Sequence, residues 1–262
     1  MEDVASIMQG SANILADDEP SPVRIVNAAG ASPFLILGDH AGRLVPRSLG
    51  DLGVSAADMD RHIAWDIGIE PVNLLLGQAL DATVILQRYS RLVIDCNRTP
   101  GHRTSMPAIS DGTAVPGNTG LDAGCIAART TEIFAPYHAA IAAEIDRRAV
   151  AGRPCVVIAM HSFTPVFGGV ARPWEAGILH DRDPGYALAV GGLLRGAGFD
   201  VGDNEPYALS DESDYTVPVH AERRRLPYVE LEIRQDLIAA AAGQRQWAEM
   251  LAKVLPAAWA GP

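Results

Sequence analysis

Eight short apolar runs, most of them rich in β-branched residues, alternate along the chain with segments of helical periodicity. Several runs are continuous, which is typical of strands that are covered on both faces of a sheet. Strands that alternate with helices predict an α/β fold with a mixed, largely parallel sheet. The predicted strands cover 23–27, 33–38, 83–87, 91–95, 155–160, 177–179, 199–201 and 228–233, and the predicted helices cover 55–65, 69–80, 123–149, 186–195 and 244–255. Pro136 is expected to end or kink the longest helix.

The chain is long enough to bury one large core. It has 262 residues, of which 48% are hydrophobic and 20% charged, a composition typical of a folded chain. We expect a single domain over 23–262, after a polar, flexible leader over 1–22 that ends in Pro-Ser-Pro. The first residues lack the basic-then-apolar order of a signal peptide, so a cytoplasmic location is expected.

Charge and residue counts argue against several functions. The formal net charge of −11 argues against a sequence-independent nucleic-acid binder, and no apolar run reaches the roughly 20 residues that span a membrane. Lys253 is the only lysine, which excludes a GxxxxGK[ST] phosphate loop and Schiff-base chemistry. Three widely spaced cysteines offer no cysteine-only metal site. We therefore expect a small-molecule partner, with no nucleic acid and no membrane.

Four polar clusters lie at the carboxyl ends of predicted strands. They are Asp39 with His40, Asp95 with Asn97 and Arg98, His161 with Ser162, and Glu230 with Glu232 and Arg234. In α/β proteins ligands bind at this edge of the sheet, so four clusters together predict an active site. Two long irregular stretches, 99–120 and 162–175, begin at the same edge, as functional loops often do.

His40 and His161 are the natural pair of metal ligands. A hydrolytic zinc site needs about three protein ligands and one open position. Asp66 completes the site in one interpretation; in another it pairs with His62, which lies four residues earlier on the predicted helix. Asp39 is an alternative ligand, or a residue that orients one. In the simplest alternative, each histidine is an ordinary hydrogen-bonded side chain at a strand end.

Glu232 is the candidate general base, since a carboxylate beside a metal site can move the proton of an attacking water. Glu230 shares its strand face and competes for this role, and either carboxylate could instead pair with Arg234. Arg91 and Arg98, with Asn97, form a local excess of hydrogen-bond donors and positive charge. Because guanidinium groups match carboxylates, they predict a small anionic substrate, unless they are solvated or pair with Asp95.

At these residues the sequence resembles the N-formylglutamate amidohydrolase family. The matching segments are GDHAGRLVP (38–46), RHIAWDIG (61–68), SRLVIDCNRTPG (90–101), SDGTAVPGNTGL (110–121), 160–183 and 204–238. The resemblance implies a three-layer α/β/α sandwich of the phosphorylase/hydrolase type, related in fold to zinc carboxypeptidases and aspartoacylase. It implies one zinc ion between His40 and His161.

The resemblance also implies roles for other residues. Asn97 and Arg98, helped by Arg91, would grip the substrate carboxylate, and Glu232 would be the base. Tyr215 and His220 lie where relatives place a residue that contacts the substrate or transition state. Arg234, at the end of the last predicted strand, is also expected to bind the substrate. One departure concerns Arg43, which stands where relatives have the glutamate of an HxxE pattern, so Asp66 is the expected middle ligand.

Together these features predict a zinc-dependent amidohydrolase of amino-acid catabolism that cleaves N-formyl-L-glutamate, or a similar N-acyl acidic amino acid, with His220 as a transition-state donor. A carboxypeptidase-like or γ-glutamyl amide hydrolase is a rival that uses the same site. Cys96 acting as a thiol nucleophile is a second rival. A third is a non-catalytic protein that binds a small anion and has lost its metal, as the arginine at position 43 would allow.

Overall fold

The computed structural model describes residues 13–212 and 214–260. Its strands are β1 (Val23–Val26), β2 (Phe34–Gly38), β3 (Thr83–Gln87), β4 (Ile109–Ser110), β5 (Thr113–Ala114), β6 (Val156–Phe163), β7 (Val166–Phe167), β8 (Val170–Ala171), β9 (Ala176–Leu179), β10 (Val201–Asp203) and β11 (Tyr228–Arg234). Its helices are α1 (Ala56–Met59), α2 (Ile69–Leu80), α3 (Ala123–Arg129), α4 (Ala135–Val150), α5 (Gly185–Gly196), α6 (Thr216–His220) and α7 (Ala241–Ala260).

A seven-stranded mixed sheet forms the centre, in the order β1-β3-β2-β6-β11-β9-β10. The four strands β3, β2, β6 and β11 run parallel to one another. β1 is antiparallel to β3, and the parallel pair β9 and β10 is antiparallel to β11. The central parallel strands bring their carboxyl ends to one edge, where the polar clusters were expected.

Both faces of the sheet are covered, because successive strand side chains point to opposite sides. Leu35, Leu37 and Val157 pack into one core, which also takes in residues of α4. Ile36 and Ile158 pack into the other, beneath α2, α5 and α7. The predicted three-layer α/β/α sandwich is confirmed. Among the described residues, no helix has both the length and the apolar character needed to cross a membrane.

The predicted strand over 91–95 is wrong, since this segment forms a turn. Ser90 Oγ accepts a hydrogen bond from the backbone of Leu92 at 3.1 Å, and Asp95 Oδ1 accepts one from the backbone of Asn97 at 2.9 Å. Such local side-chain bonds favour turns over a strand ladder. Residues 92–94 are nonetheless buried, so the apolar run indicates burial and not a strand.

The predicted helix over 55–65 is also wrong in extent. Ser55 caps α1 by accepting a hydrogen bond from Asp58 N at 3.1 Å, but the helix ends at Met59. The chain then turns, and the backbone N–H of Asp66 donates to the carbonyl oxygen of His40 at 2.9 Å. Asp66 therefore lies on a loop tied to the end of β2, and the proposed helical pairing with His62 does not exist.

The longest helical segment continues through the predicted break. A π-helical turn over Thr130–Phe134 joins α3 to α4, and Pro136 lies in the first turn of α4. Proline has no N–H to donate to the preceding turn, and a wider turn accommodates that loss.

Glu132, within the π turn, accepts hydrogen bonds from the backbone of Ile14 at 3.0 Å and Leu15 at 2.9 Å. Ile14 and Leu15 of the predicted leader thus contact the domain, while 1–12 lie outside the described residues.

Candidate active site

A cavity of about 320 Å³ opens at the carboxyl ends of β2, β6 and β11. Side chains from all four predicted clusters contribute to its lining. Among the lining residues are His40, Asp66, Arg91, Asn97, Arg98, His161, Glu230 and Glu232. The topology of the sheet therefore brings together residues that are up to 192 positions apart, from position 40 to position 232.

His40, Asp66 and His161 come together as a candidate metal site. All three are buried, and one ligand atom from each lies within 4.8 Å of the others. Asp66 Oδ2 lies 3.5 Å from His40 Nδ1 and 3.0 Å from His161 Nδ1. Tetrahedral zinc ligands, bound at about 2.0–2.1 Å, are separated from each other by about 3.3 Å, so these distances fit zinc. Three buried atoms here, His40 Nδ1, His161 Nε2 and Asp39 Oδ2, have no hydrogen-bond partner within 13–212 and 214–260. Of these, His40 Nδ1 faces the cluster and is available to a cation.

Each histidine has a carboxylate behind it. His40 Nε2 lies 2.7 Å from Asp95 Oδ1, and His161 Nε2 lies 3.5 Å from Asp39 Oδ2. Asp39 Oδ1 in turn accepts a hydrogen bond from the hydroxyl of Tyr137 at 2.6 Å. Carboxylates in this position fix the tautomer and the orientation of metal-binding imidazoles. Asp39 was considered either as a metal ligand or as a residue that orients one, and this geometry favours the second role.

The position of Asp66 is set by its neighbours. Besides the backbone bond to His40, its Oδ2 accepts a hydrogen bond from Ser162 N at 3.2 Å, at the end of β6. Gly68 then starts α2 with a φ of +80° and packs directly on the carbonyl oxygen of Ile238. A side chain there would be strained by the backbone angle and would collide with that carbonyl. The charges of His40 and His161 hold the pKa of Asp66 far below its ordinary value, against the opposing effect of burial.

The two carboxyl groups of β11 differ in their electrostatic surroundings. Burial raises the pKa of Glu232 to about 7, while His161, His40 and Arg91 restrain the rise. Burial, together with the charge of Asp214, raises the pKa of Glu230 well above its ordinary value. Glu232 is the register partner of His161 on β6, so it lies beside the candidate metal site. Near pH 7 it can both accept and release a proton.

The arginines of the cavity are already paired. Arg91 donates to Asp95 Oδ2 at 2.6 Å, and its Nη1 lies 3.4 Å from Asp66 Oδ1. Arg98 donates to Asp214 Oδ1 at 3.1 Å. Asn97 Oδ1 accepts two backbone hydrogen bonds at 3.0 Å from residues 215 and 216. The predicted excess of positive charge is therefore largely balanced by carboxylates.

Three predicted site residues do not line the cavity. The ring of Tyr215 packs against those of Phe134 and His138, with centroids 4.9 and 4.6 Å away. His220 stacks on His138, and its Nε2 lies 3.0 Å from His138 Nδ1. Arg234 pairs with Asp236 and donates to two carbonyl oxygens of residues 173 and 174. It shares the strand face of Glu232, as expected, but lies past the cavity where the strand ends.

Two other residues bear on the predicted alternatives. Arg43 is about half exposed, pairs with Asp60 and lies over the ring of Trp65, so position 43 does not contribute to the cluster. Cys96 is buried outside the cavity lining, accepts a hydrogen bond from Gln87 at 3.2 Å, and has a pKa that burial raises well above its ordinary value. A buried thiol with a raised pKa does not favour nucleophilic chemistry.

Tyr207 and Asp214 also line the cavity, although no residue pattern in the sequence indicates them. Both lie in 204–215, which has neither strand nor helix periodicity, so no alternation indicates where their side chains point. The available signal is indirect. This stretch belongs to the longest segment that resembles the N-formylglutamate amidohydrolase family.

The family profile described as N-formylglutamate amidohydrolase matches residues 32–239. The chain belongs to this family. It is therefore an amidohydrolase with a small-molecule substrate. It is similar to gene product Atu2144 from Agrobacterium tumefaciens, with 38% identity, a TM-score of 0.92, and coverage of 95% of this chain and 98% of that chain.

This amidohydrolase is also similar in fold to N-formylglutamate amidohydrolase from Ralstonia eutropha JMP134. The identity is 18% and the TM-score 0.65, with coverage of 93% of this chain and 100% of that chain. The comparison with curated proteins gives no match.

Proposed function

We propose that this amidohydrolase uses a bound divalent metal ion, most simply Zn²⁺, to hydrolyse N-formyl-L-glutamate or a similar N-acyl acidic amino acid. The observation that carries the proposal is the convergence of His40, Asp66 and His161 beside Glu232. Membership of the family supports cleavage of an amide bond and the choice of the formyl group.

The residues of the cluster suit zinc. Two imidazole nitrogens and one carboxylate oxygen form a donor set that zinc enzymes use, and three protein ligands leave one position open. A bound cation of this kind polarises a carbonyl oxygen and lowers the pKa of water. Asp95 holds the imidazole of His40 at 2.7 Å, and Asp39 lies 3.5 Å behind that of His161, so that in both rings the other nitrogen faces the cluster.

Glu232 moves the proton in the proposed reaction. Its carboxylate takes a proton from the attacking water as the oxygen bonds to the formamide carbon. It then gives the proton to the leaving nitrogen as the carbon–nitrogen bond breaks, so the products are formate and glutamate. A pKa of about 7 suits both transfers, because neither protonation state is strongly favoured near neutral pH.

Asn97, Arg98 and Arg91 orient the substrate in this proposal. Arg91 and Arg98 are held by carboxylates and still present further N–H groups at the cavity wall. Fixed donors of this kind place the reacting carbonyl near its attacking group, which lowers the entropic part of the barrier. Tyr215, His220 and Arg234 are given no contact with the substrate in this proposal, because the first two pack on His138 and the third pairs with Asp236.

The test is formate release from N-formyl-L-glutamate by the purified protein. We expect one zinc ion per chain by elemental analysis, loss of activity on chelation, and recovery when zinc is returned. The variant His161→Ala should not gain activity when zinc is added. A panel of N-acyl amino acids, acidic dipeptides and glutamine separates formyl hydrolysis from the carboxypeptidase-like and γ-glutamyl alternatives. Absence of turnover on every N-acyl amino acid by the zinc-loaded protein would contradict the proposal.

A further inference from the structure

Arg172 differs from the other arginines near the cleft in having no acidic partner. Arg91 and Arg98 are paired with carboxylates, whereas the part of the chain that the structure describes offers no carboxylate within 4.0 Å of Arg172. Its Nη1 donates instead to the hydroxyl of Tyr207 at 3.0 Å and to the carbonyl oxygen of Thr164 at 3.4 Å. The positive charge of Arg172 is thus held in place without being neutralised.

Aromatic rings surround this guanidinium group. Its Cζ atom lies 4.8 Å from the ring centroid of Phe167 and 4.9 Å from that of Tyr207. A third ring, that of Phe163, lies 5.7 Å away. Such rings stabilise a cation and restrict its movement, but they supply no countercharge. An arginine held this way is preorganised for an anion that arrives from elsewhere.

The anion would arrive from the catalytic cavity. Arg172 is not itself a lining residue, but it lies directly behind the wall: Phe163, Thr164 and Tyr207, all in contact with it, line that cavity together with His161 and Glu232. Tyr207 also lines a second cavity of about 300 Å³ that shares Arg91 and Arg98 with the first. Because the Tyr207 hydroxyl accepts its hydrogen bond from Arg172, its own proton is available for an acceptor on the cavity side.

We propose that Arg172 and the Tyr207 hydroxyl bind a carboxylate of the substrate at the wall of the cleft. The proposal rests on the proposed function in one respect, namely that the substrate is an N-acyl acidic amino acid. Arg172 supplies the charge and an N–H donor, and Tyr207 supplies an O–H donor. In an already balanced cavity, this pair gives the enzyme its preference for a substrate carboxylate over an amide.

The experiment compares zinc-loaded Arg172→Met, Arg172→Lys and Tyr207→Phe with the wild type. Substrates are N-formyl-L-glutamate and its two singly charged analogues, in which either the side-chain or the α-carboxylate is an amide. We expect Arg172→Met to raise KM for N-formyl-L-glutamate about 10- to 100-fold, with kcat nearly unchanged, since a charge-assisted contact to the substrate is lost. The preference of the wild type for a carboxylate over one amide analogue should fall by the same factor.

Tyr207→Phe keeps the ring under Arg172 and should raise KM about 3- to 10-fold through loss of one donor. Arg172→Lys should fall between the wild type and Arg172→Met, because it keeps the charge but not the planar donors. The control is Arg195→Met, which removes an arginine on α5 that donates to the carbonyl of Val201 and lies away from the cleft. Its kinetics should match the wild type.

A binding measurement separates this proposal from the proposed function. Calorimetry with glutarate, a dicarboxylate without a scissile amide, should give a tenfold or larger loss of affinity in Arg172→Met, even if no N-acyl amino acid is hydrolysed. If Arg172→Met does not fold, the same kinetic and binding measurements are made on Tyr207→Phe and Arg172→Lys. The proposal would be overturned if the folded variants kept both the carboxylate preference and the glutarate affinity of the wild type. It would also be overturned if the zinc-loaded wild type bound no glutarate.

Discussion

His40 Nε2 lies 2.7 Å from Oδ1 of Asp95, and both side chains are buried. The contact commits one ring nitrogen to a carboxylate and leaves Nδ1 directed at Asp66 and His161. Asp95 also receives two hydrogen bonds from Arg91, so its own position is fixed. The orientation of a candidate metal ligand thus depends on residues that lie behind it in the protein.

We expect Asp95→Asn to weaken zinc binding by about 10- to 100-fold, since the carboxylate that orients His40 is lost. Competition with a chromophoric chelator measures the affinity. Asp203→Asn is a matched control, because Asp203 also lies 2.7 Å from a histidine Nε2, that of His180, but outside the cavity. Equal affinities in the two variants would count against the role given to Asp95.

Removal of Asp66 tests the middle ligand. Zinc should raise the thermal midpoint of the wild type, because a ligand that binds only the folded state stabilises it. In Asp66→Ala this rise should be lost. His62→Ala provides the control, since His62 lines the same cavity but is not one of the three clustered residues. A zinc-dependent rise in Asp66→Ala equal to that of the wild type would exclude Asp66 as a ligand.

Glu232→Gln and Glu230→Gln separate the two carboxyl groups of β11. We expect Glu232→Gln to lower kcat by about 10²- to 10⁴-fold with zinc content retained, as loss of a general base does. Burial and the charge of Asp214 raise the pKa of Glu230 well above its ordinary value, so burial favours its protonated form, which glutamine resembles. Glu230→Gln should therefore lower kcat less than about tenfold. The reverse order would assign the proton transfer to Glu230.

The buried pair His138 and His220 should make stability depend on pH. Burial lowers the pKa of His138 to about 4 and that of His220, helped by His138, to about 3. Both folded-state values lie below the unfolded value of 6.5, so this stability is complete above about pH 6.5 and is lost as pH falls toward the folded-state values. At pH 5 each neutral histidine costs about 2 kcal/mol of folding free energy.

Urea unfolding of the metal-free protein at pH 7.5 and pH 5 measures this loss. His220→Asn should lose about 2 kcal/mol less between the two values than the wild type. His102→Asn, which changes a partly exposed histidine in a turn, should behave as the wild type does. If His220→Asn loses as much stability as the wild type, the assigned titration is wrong.

Gly68→Ala should destabilise the protein by about 1–3 kcal/mol and also weaken zinc binding. The residue has a φ of +80° and touches the carbonyl of Ile238, so a methyl group must displace the loop that carries Asp66. Gly192→Ala in α5 is the control: a methyl group there meets open space, and the helix should gain about 0.5–1 kcal/mol. Unfolding curves and zinc titration of both variants check the expectation.

The fold class and the main catalytic candidates follow from the residue pattern alone. Strands that are buried on both faces appear in the sequence as continuous apolar runs, so β2, β6 and β11 could be predicted. The positions of His40, His161 and Glu232 near the carboxyl ends of these strands could be predicted with them. The same signal misled at 91–95, because burial of an apolar run does not require a strand.

Which side chains meet depends on the three-dimensional path of the chain. Asp66 reaches the cluster because a backbone bond ties its loop to His40, and Arg98 is neutralised by Asp214, which lies 116 residues later. Tyr215 and His220, expected near the substrate, pack on His138 instead. Contacts of this kind depend on the path of loops without periodicity, and local residue patterns carry no information about that path.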